Sequence, residues 1–308
     1  MFCDRSDIIT AYKTNMDAKK YLQEYLNYLE IEKNRSRKTR ENYRRYLEKF
    51  LKDAEIKTVG NITIPKIREF RISLSGEGLK KITQSYYVIA IRNFLKFLIR
   101  EGCDVPAPDL IELPKVSKRD IEVLEYSELE RLLSAPKGND LRAFRDRAIL
   151  ETLFSTGLRL SEVCALPRII DLNRGEISVR GKGEKLRVVF LSDGAKEKIR
   201  EYLKKRTDPE EALFISLSKK GSVLGRITPR SVERLVDTHA RSAGIAKKVH
   251  PHQLRHSFAT DLLINGADIR SVQSLLGHSN ISTTQVYTHI TDKELREIHK
   301  TFHGRRRG

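Results

Sequence analysis

The sequence predicts a mostly α fold with a small β-sheet, divided into two domains, and three observations carry that prediction. Apolar residues recur three and four apart through the first hundred positions, the spacing of a helix face turned to a core. Pro106, Pro108 and Pro114 then break the pattern, and Lys115, Lys118 and Arg119 follow, as in an exposed linker. Helical patterning resumes beyond it, around two β-like runs at 176–180 and 186–191 separated by Gly181-Lys182-Gly183-Glu184-Lys185, a hairpin tip. The expected division is a helical domain over 1–103, a linker over 104–120 and an α+β domain over 121–308.

In the first domain, Leu22, Tyr25, Leu26 and Leu29 mark one helix face. A second helix, over 36–51, turns Tyr43, Tyr46, Leu47 and Phe50 one way and Arg37, Lys38, Arg40, Arg44 and Arg45 the other. A third follows Pro65, a good first-turn residue. A fourth, over 83–99, points Val88, Ile91, Leu95 and Leu98 inward and stops at Gly102. The second domain opens on a capping box, Ser127 with Glu130. Helices over 141–156, ending at Gly157, over 160–166 and over 195–205 follow. Another is capped by Thr228, has Pro229 in its first turn and ends before Gly244. Pro251 starts a helix that ends near Gly266, and a short one over 268–276 stops at Gly277. Ser282 caps the next. Thr291 with Glu294 caps a last helix to Phe302, and Arg305-Arg306-Arg307 forms a frayed tail.

A length of 308 residues suits two domains, and 39% apolar with 32% charged residues excludes a disordered chain. No apolar run approaches the ~20 residues of a membrane helix. The start, Met1-Phe2-Cys3-Asp4, lacks a signal segment, so a cytoplasmic location without membrane association is expected. Cys3, Cys103 and Cys164 are odd in number and widely spaced, which indicates neither a disulfide framework nor a zinc knuckle; Cys164 reads as a core thiol. The net charge of +18 is spread: 22 Lys and Arg stand against 14 Asp and Glu up to residue 108, and 37 against 27 beyond it. Such a distribution fits either a polyanion held along the folded body or a solvated surface laced with ion pairs.

Chemistry-bearing residues cluster at helix starts and at the hairpin tip. Arg159 emerges at the turn after Gly157, and Glu162, three residues on, can orient its guanidinium; an ordinary surface pair reads the same. Lys182 lies between two glycines, as an exposed amine or merely a basic tip. His252 and Arg255 share a face at a helix start, where the backbone adds positive potential suited to phosphate. His252 and His256, four apart, also admit a zinc reading, but no Glu follows the first histidine and no carboxylate nearby completes a set, so no metal site is assigned. His278 follows Leu276-Gly277, and Tyr287 comes nine residues later; alone, these are a helix cap and a packing aromatic.

Taken in order, Arg159, Lys182, His252-x-x-Arg255, Leu276-Gly277-His278 and Tyr287 resemble the tyrosine recombinases, or phage-type integrases, and most nearly their Xer branch. Ser282-Thr283-Thr284-Gln285-Val286-Tyr287, Asn265-Gly266-Ala267-Asp268-Ile269 and Gly181-Lys182-Gly183-x-Lys185-x-Arg187 add to the likeness. It covers most of the chain, more loosely in the first domain. Two departures are Pro167-Arg168, where an aromatic or acidic residue is frequent, and Phe190, where proline is.

The resemblance implies a two-domain clamp around double-stranded DNA, with a helical core-binding domain and an α+β catalytic domain. Tyr287 would attack the scissile phosphorus and leave a 3′-phosphotyrosine. Arg159 and Arg255 would hold the non-bridging oxygens, Lys182 would protonate the leaving 5′-oxygen, His252 would assist Tyr287, and His278 would bond the phosphate. No cofactor is expected, because the phosphotyrosine ester keeps the bond energy and the arginines take the place of a metal. The resemblance further implies a homo-tetramer on two DNA sites, with Leu295, Ile298 and Phe302 of the last helix docking on a neighbouring subunit. Arg37, Lys38, Arg40, Arg44, Lys81 and Gln84, on the polar faces of the second and fourth helices, are the expected DNA contacts. The implied role is chromosome or plasmid dimer resolution. Integration of a mobile element, strand relaxation of the type IB topoisomerase kind and DNA binding without cleavage remain as alternatives.

Overall fold

The computed structural model describes residues 15–114, 123–181 and 186–277, and the chain forms two compact units, Met1–Arg119 and Asp120–Gly308. Lys182, His278 and Tyr287 lie outside the described residues, as do the expected helix starts at Ser282 and Thr291, the last helix with Leu295, Ile298 and Phe302, and the arginine tail.

The first unit is built from α1 (Ala18–Ile31), α2 (Arg37–Asp53), α3 (Ile64–Gly76) and α4 (Lys81–Arg100). Short polar side chains start the first three: Asp17 accepts from the Lys19 amide at 2.8 Å, Ser36 from that of Thr39 at 3.3 Å and Thr63 from that of Lys66 at 3.5 Å. Their apolar stripes meet in one core, Tyr25, Leu26, Leu47, Phe50, Ile67, Phe70, Leu74, Ile91 and Phe94 all being buried. Aromatic rings fill its centre, with Tyr25 5.4 Å from Phe94 and Phe50 5.2 Å from Phe70 between centroids. The stretch expected to be exposed after α4 stays packed at first. Cys103, Pro108 and Ile111 are buried, and Arg92 donates to the Ile111 carbonyl at 3.2 Å and pairs with Asp109 at 2.7 Å. Proline breaks a helix there without detaching the chain from the core.

The second unit contains α5 (Tyr126–Leu133), α6 (Leu141–Thr156), α7 (Leu160–Ala165), β1 (Glu176–Arg180), β2 (Leu186–Phe190), α8 (Asp193–Lys204), β3 (Ile215–Leu217), β4 (Val223–Arg226), α9 (Pro229–Ser242), α10 (Pro251–Ile264) and α11 (Ile269–Leu276). Helix α6 is its centre, with Ala148, Ile149, Leu150 and Leu153 buried beneath α8 and α10. Cys164 is buried in the same core. The capping box of α5 sits two residues earlier than the sequence suggests: Glu128, not Glu130, reaches back, to the Glu125 amide at 2.9 Å. A tertiary partner decides this, since Lys247 pairs with Glu128 at 2.7 Å.

The sheet content is two antiparallel hairpins rather than one. β3 and β4, absent from the sequence reading, turn at Lys219-Lys220-Gly221, with Gly221 at φ +89. The first hairpin turns one face to solvent. Leu186, Val188 and Phe190 point to solvent, while Arg187 and Val189 turn inward opposite the buried Val179 and Ile177.

Phe94 is wholly buried at the aromatic centre of the first unit. Phe94→Ala should cost about 3–5 kcal/mol of that unit's stability. Hydrogen exchange should show the amides of α1 to α4 opening faster while those of α6 and α8 keep their protection.

Candidate active site

The site begins where α6 ends. Gly157 takes a left-handed turn at φ +57, and a Cβ there would lie 2.3 Å from the Phe258 ring. Only glycine lets α6 and α10 approach this closely. The turn delivers Arg159 to the N-terminus of α7. There Glu162 caps the helix, accepting from the Arg159 amide at 2.8 Å and from its guanidinium Nη1 at 2.9 Å.

A second guanidinium reaches the same carboxylate from β2. Arg187 Nη1 donates to Oε1 at 2.9 Å and Nη2 to Oε2 at 2.6 Å, a two-pronged pair. A third comes from α10, where Arg255 is buried and donates to the Gly157 carbonyl at 2.5 Å. All three arginines then converge on one helix end. Arg187 Nε donates to the Leu275 carbonyl at 3.1 Å, Arg255 Nη2 to that of Leu276 at 2.7 Å and Arg159 Nη2 to that of Gly277 at 2.8 Å. The C-terminus of a helix leaves carbonyls without intrahelical partners and carries partial negative charge, so guanidiniums satisfy it on both counts. Gly277, at φ +63, closes α11 directly over Arg187; a Cβ there would lie 2.9 Å from Arg187 Cδ. His278 is the next residue in the chain.

Burial alone would raise the Glu162 carboxyl. The hydrogen bonds of Arg187, and then those of the Arg159 amide and guanidinium, outweigh it and hold the group below the ordinary carboxylate range. His252 stands in the first turn of α10 with an exposed edge. Desolvation, then the charge of Arg255, lowers its pKa below the ordinary 6.5 and favours neutral imidazole. His256, one turn on and half-buried, is pushed down to about 4 by burial and by the neighbouring His252 and Arg255. Among the described residues no group of three or more His, Cys, Asp or Glu side chains could hold a metal ion.

Arg159, Arg255 and His252, singled out from sequence, therefore gather around the ends of α6 and α11 and the start of α10. Arg187, which closes the Gly181-Lys182-Gly183-x-Lys185-x-Arg187 motif, joins them although the motif assigns it no role. Its signal is parity in β2: it shares a face with Val189, where an arginine needs a buried partner. In the first unit, Arg37, Lys38 and Lys81 are exposed, with Arg37 3.2 Å from Glu41. Arg44 is half-buried, Arg40 pairs with Glu30 at 2.9 Å, and Gln84 donates to the Leu79 carbonyl at 2.8 Å.

Known proteins share this architecture. The phage integrase family model matches residues 122–294, and the phage integrase N-terminal SAM-like domain matches residues 22–102. Tyrosine recombinase XerC of Bacillus subtilis is 35% identical over 302 residues, covering 94% of this chain and 98% of that protein. Tyrosine recombinase XerD of Halalkalibacterium halodurans is 35% identical, covering 92% and 97%. Among solved structures, the XerA recombinase is 32% identical with a TM-score of 0.51 over 92% of this chain and 98% of that one. The XerH recombinase bound to its difH substrate after cleavage matches in fold, with 24% identity and a TM-score of 0.68 over 90% and 82%.

The histidine arrangement makes a pH prediction. Because the folded pKa of His256 lies near 4, below its ordinary 6.5, the unfolded chain takes up the proton first as pH falls. The stability held by the neutral ring is complete above about pH 6.5 and is lost as pH drops toward 4. Urea unfolding across that window should show the parent weakening more steeply than His256→Gln, which has nothing to protonate there.

Proposed function

The chain belongs to the phage integrase family, and from that membership we propose that it cleaves and rejoins double-stranded DNA through a 3′-phosphotyrosine on Tyr287. It is a Xer-like site-specific recombinase, supported by its Xer relatives over most of its length. The observation that carries the mechanism is the charge count at the ends of α6 and α11. Among the described residues, Arg159, Arg187 and Arg255 gather there with the carboxylate of Glu162, a net charge of two positive units from these four side chains. A phosphodiester brings one negative charge, and the crowded phosphorane-like transition state brings nearly two. A fixed positive cluster that matches the second better than the first lowers the barrier rather than merely binding DNA.

The chemistry then follows from the side chains. A tyrosine of pKa ~10 is scarcely ionised near neutrality, so attack needs an acceptor for its proton. His252, held neutral, serves. The Tyr287 oxygen bonds to phosphorus as the bond to the 5′-oxygen breaks, and Lys182 supplies the proton that turns the leaving group into a hydroxyl. His278 adds a hydrogen bond to the phosphate. Rejoining reverses these steps with a 5′-hydroxyl as nucleophile. Because the ester conserves the bond energy, no ATP is consumed, and the guanidiniums supply the charge that a metal cofactor supplies in other phosphoryl transfers.

Within the same proposal, the helical unit is a DNA-binding domain whose exposed Arg37, Lys38 and Lys81 meet phosphates, with strong salt dependence. Arg40, Arg44 and Gln84 serve beside them. Two DNA sites are held by a homo-tetramer, and the reaction resolves chromosome or plasmid dimers in the cytoplasm.

The test uses a pool of nicked duplexes with randomised sequence around the nick, from which covalently attached DNA is recovered and the linked peptide mapped. The parent should yield an adduct at Tyr287, Tyr287→Phe none, and Arg255→Ala at least about 100-fold less per unit time. An adduct surviving in Tyr287→Phe overturns the nucleophile. Relaxation of supercoiled DNA by monomers, without paired sites, overturns strand exchange in favour of a topoisomerase.

A further inference from the structure

We propose that Arg187 is a positioning residue that takes up the charge of Glu162 so that the guanidinium of Arg159 stays available to the scissile phosphate. The inference rests on the strand-transfer reading above and concerns a side chain that reading leaves without a task of its own. Arg187 is the more enclosed of the two arginines: its side chain is 10% exposed, against 29% for Arg159, and Glu162 is 7% exposed.

The division of labour around the carboxylate is unequal. Arg187 claims both oxygens with its fork, while the Arg159 guanidinium touches only Oε1, through Nη1, and sends Nη2 to the Gly277 carbonyl. Two cations sharing one anion leave one unit of positive charge over, and the pairing geometry leaves it on the more open of the two. Without Arg187, Glu162 would lose two of the four hydrogen bonds it accepts from Arg187 and from the amide and side chain of Arg159. A buried carboxylate left half-satisfied is costly. The cation still bonded to it, Arg159, would swing into the vacated fork. That swing would break the Gly277 contact and neutralise the charge meant for phosphate. Arg187 also holds the Leu275 carbonyl and fills the space beneath Gly277, so it fixes the helix end from which Arg159 takes its second bearing.

The experiment measures single-turnover adduct formation on a duplex recovered by the covalent capture described above. Two versions are used: an ordinary scissile phosphodiester, and a methylphosphonate in which a methyl group replaces one non-bridging oxygen and removes its charge. Arg187→Gln should slow the ordinary diester about 10- to 100-fold, the usual effect of removing a partner that orients a reactive group. On the methylphosphonate, which asks less of the guanidinium, the loss should shrink to about threefold or less. Arg187→Lys keeps the charge but lacks the fork, and should fall between parent and Arg187→Gln on the diester. Arg159→Ala with Arg187→Gln should be no slower than Arg159→Ala alone, because the second residue acts through the first.

Equal losses on both substrates, or losses that multiply in the double variant, overturn the proposal. The comparison of the two substrates is made within one preparation of each variant, so a misfolded fraction lowers both rates alike and cannot imitate the expected difference. If Arg187→Gln does not fold, Arg187→Lys carries the same comparison. A parent protein that forms no adduct on either substrate overturns the strand-transfer reading itself, and this inference with it.

Discussion

The Glu162 carboxylate joins parts of the second unit that are remote in sequence. It caps α7 through the Arg159 amide, anchors β2 through the fork of Arg187 and, by way of those two arginines, reaches the carbonyls that end α11. Remove the carboxylate, and three cations are left crowding one helix end. The start of α7 and the first hairpin meet at this charge, while Arg187 and Arg255 tie β2 and the α6 turn to the end of α11.

Such a cluster is a poor source of stability. Taking ions out of water costs several kcal/mol each, and their attraction seldom returns more than that. Its value lies in geometry. Planar forks fix direction as well as distance, and carbonyls at a helix end accept hydrogen bonds without neutralising charge. The geometry of the cluster is therefore set while its net charge stays positive. The apolar cores around α6 and within α1 to α4 provide the stability that the charged site does not.

Most helices were legible because their causes are local. Leu22, Tyr25, Leu26 and Leu29 form a stripe whatever lies opposite, and Gly157 and Gly277 stop helices wherever they occur. Errors arose where a distant residue decided. The α5 cap moved because Lys247 holds Glu128. Residues after Gly102 stayed packed because Arg92 reaches Asp109 and Ile111. The second hairpin was missed because Ile215–Leu217 and Val223–Arg226 are too short for alternation to show. In β2, Leu186, Val188 and Phe190 point out, a choice of face that the strand's own sequence leaves open. The inner face is taken by Val189, opposite Ile177, and by Arg187, which reaches Glu162.

The sequence by itself determined most of the described helices and the two-part organisation, since periodicity and breakers are properties of short stretches. It also determined the family, because a spaced set of Arg159, Lys182, His252, Arg255, His278 and Tyr287 is too specific to arise by accident. Only the tertiary structure decided that Arg187 belongs with Arg159, and that three arginines share one carboxylate and one helix end. Those residues lie up to 118 positions from the carbonyls they bind. No local pattern encodes such a meeting; it exists only once the cores have folded and brought the ends of α6, β2 and α11 within hydrogen-bond reach.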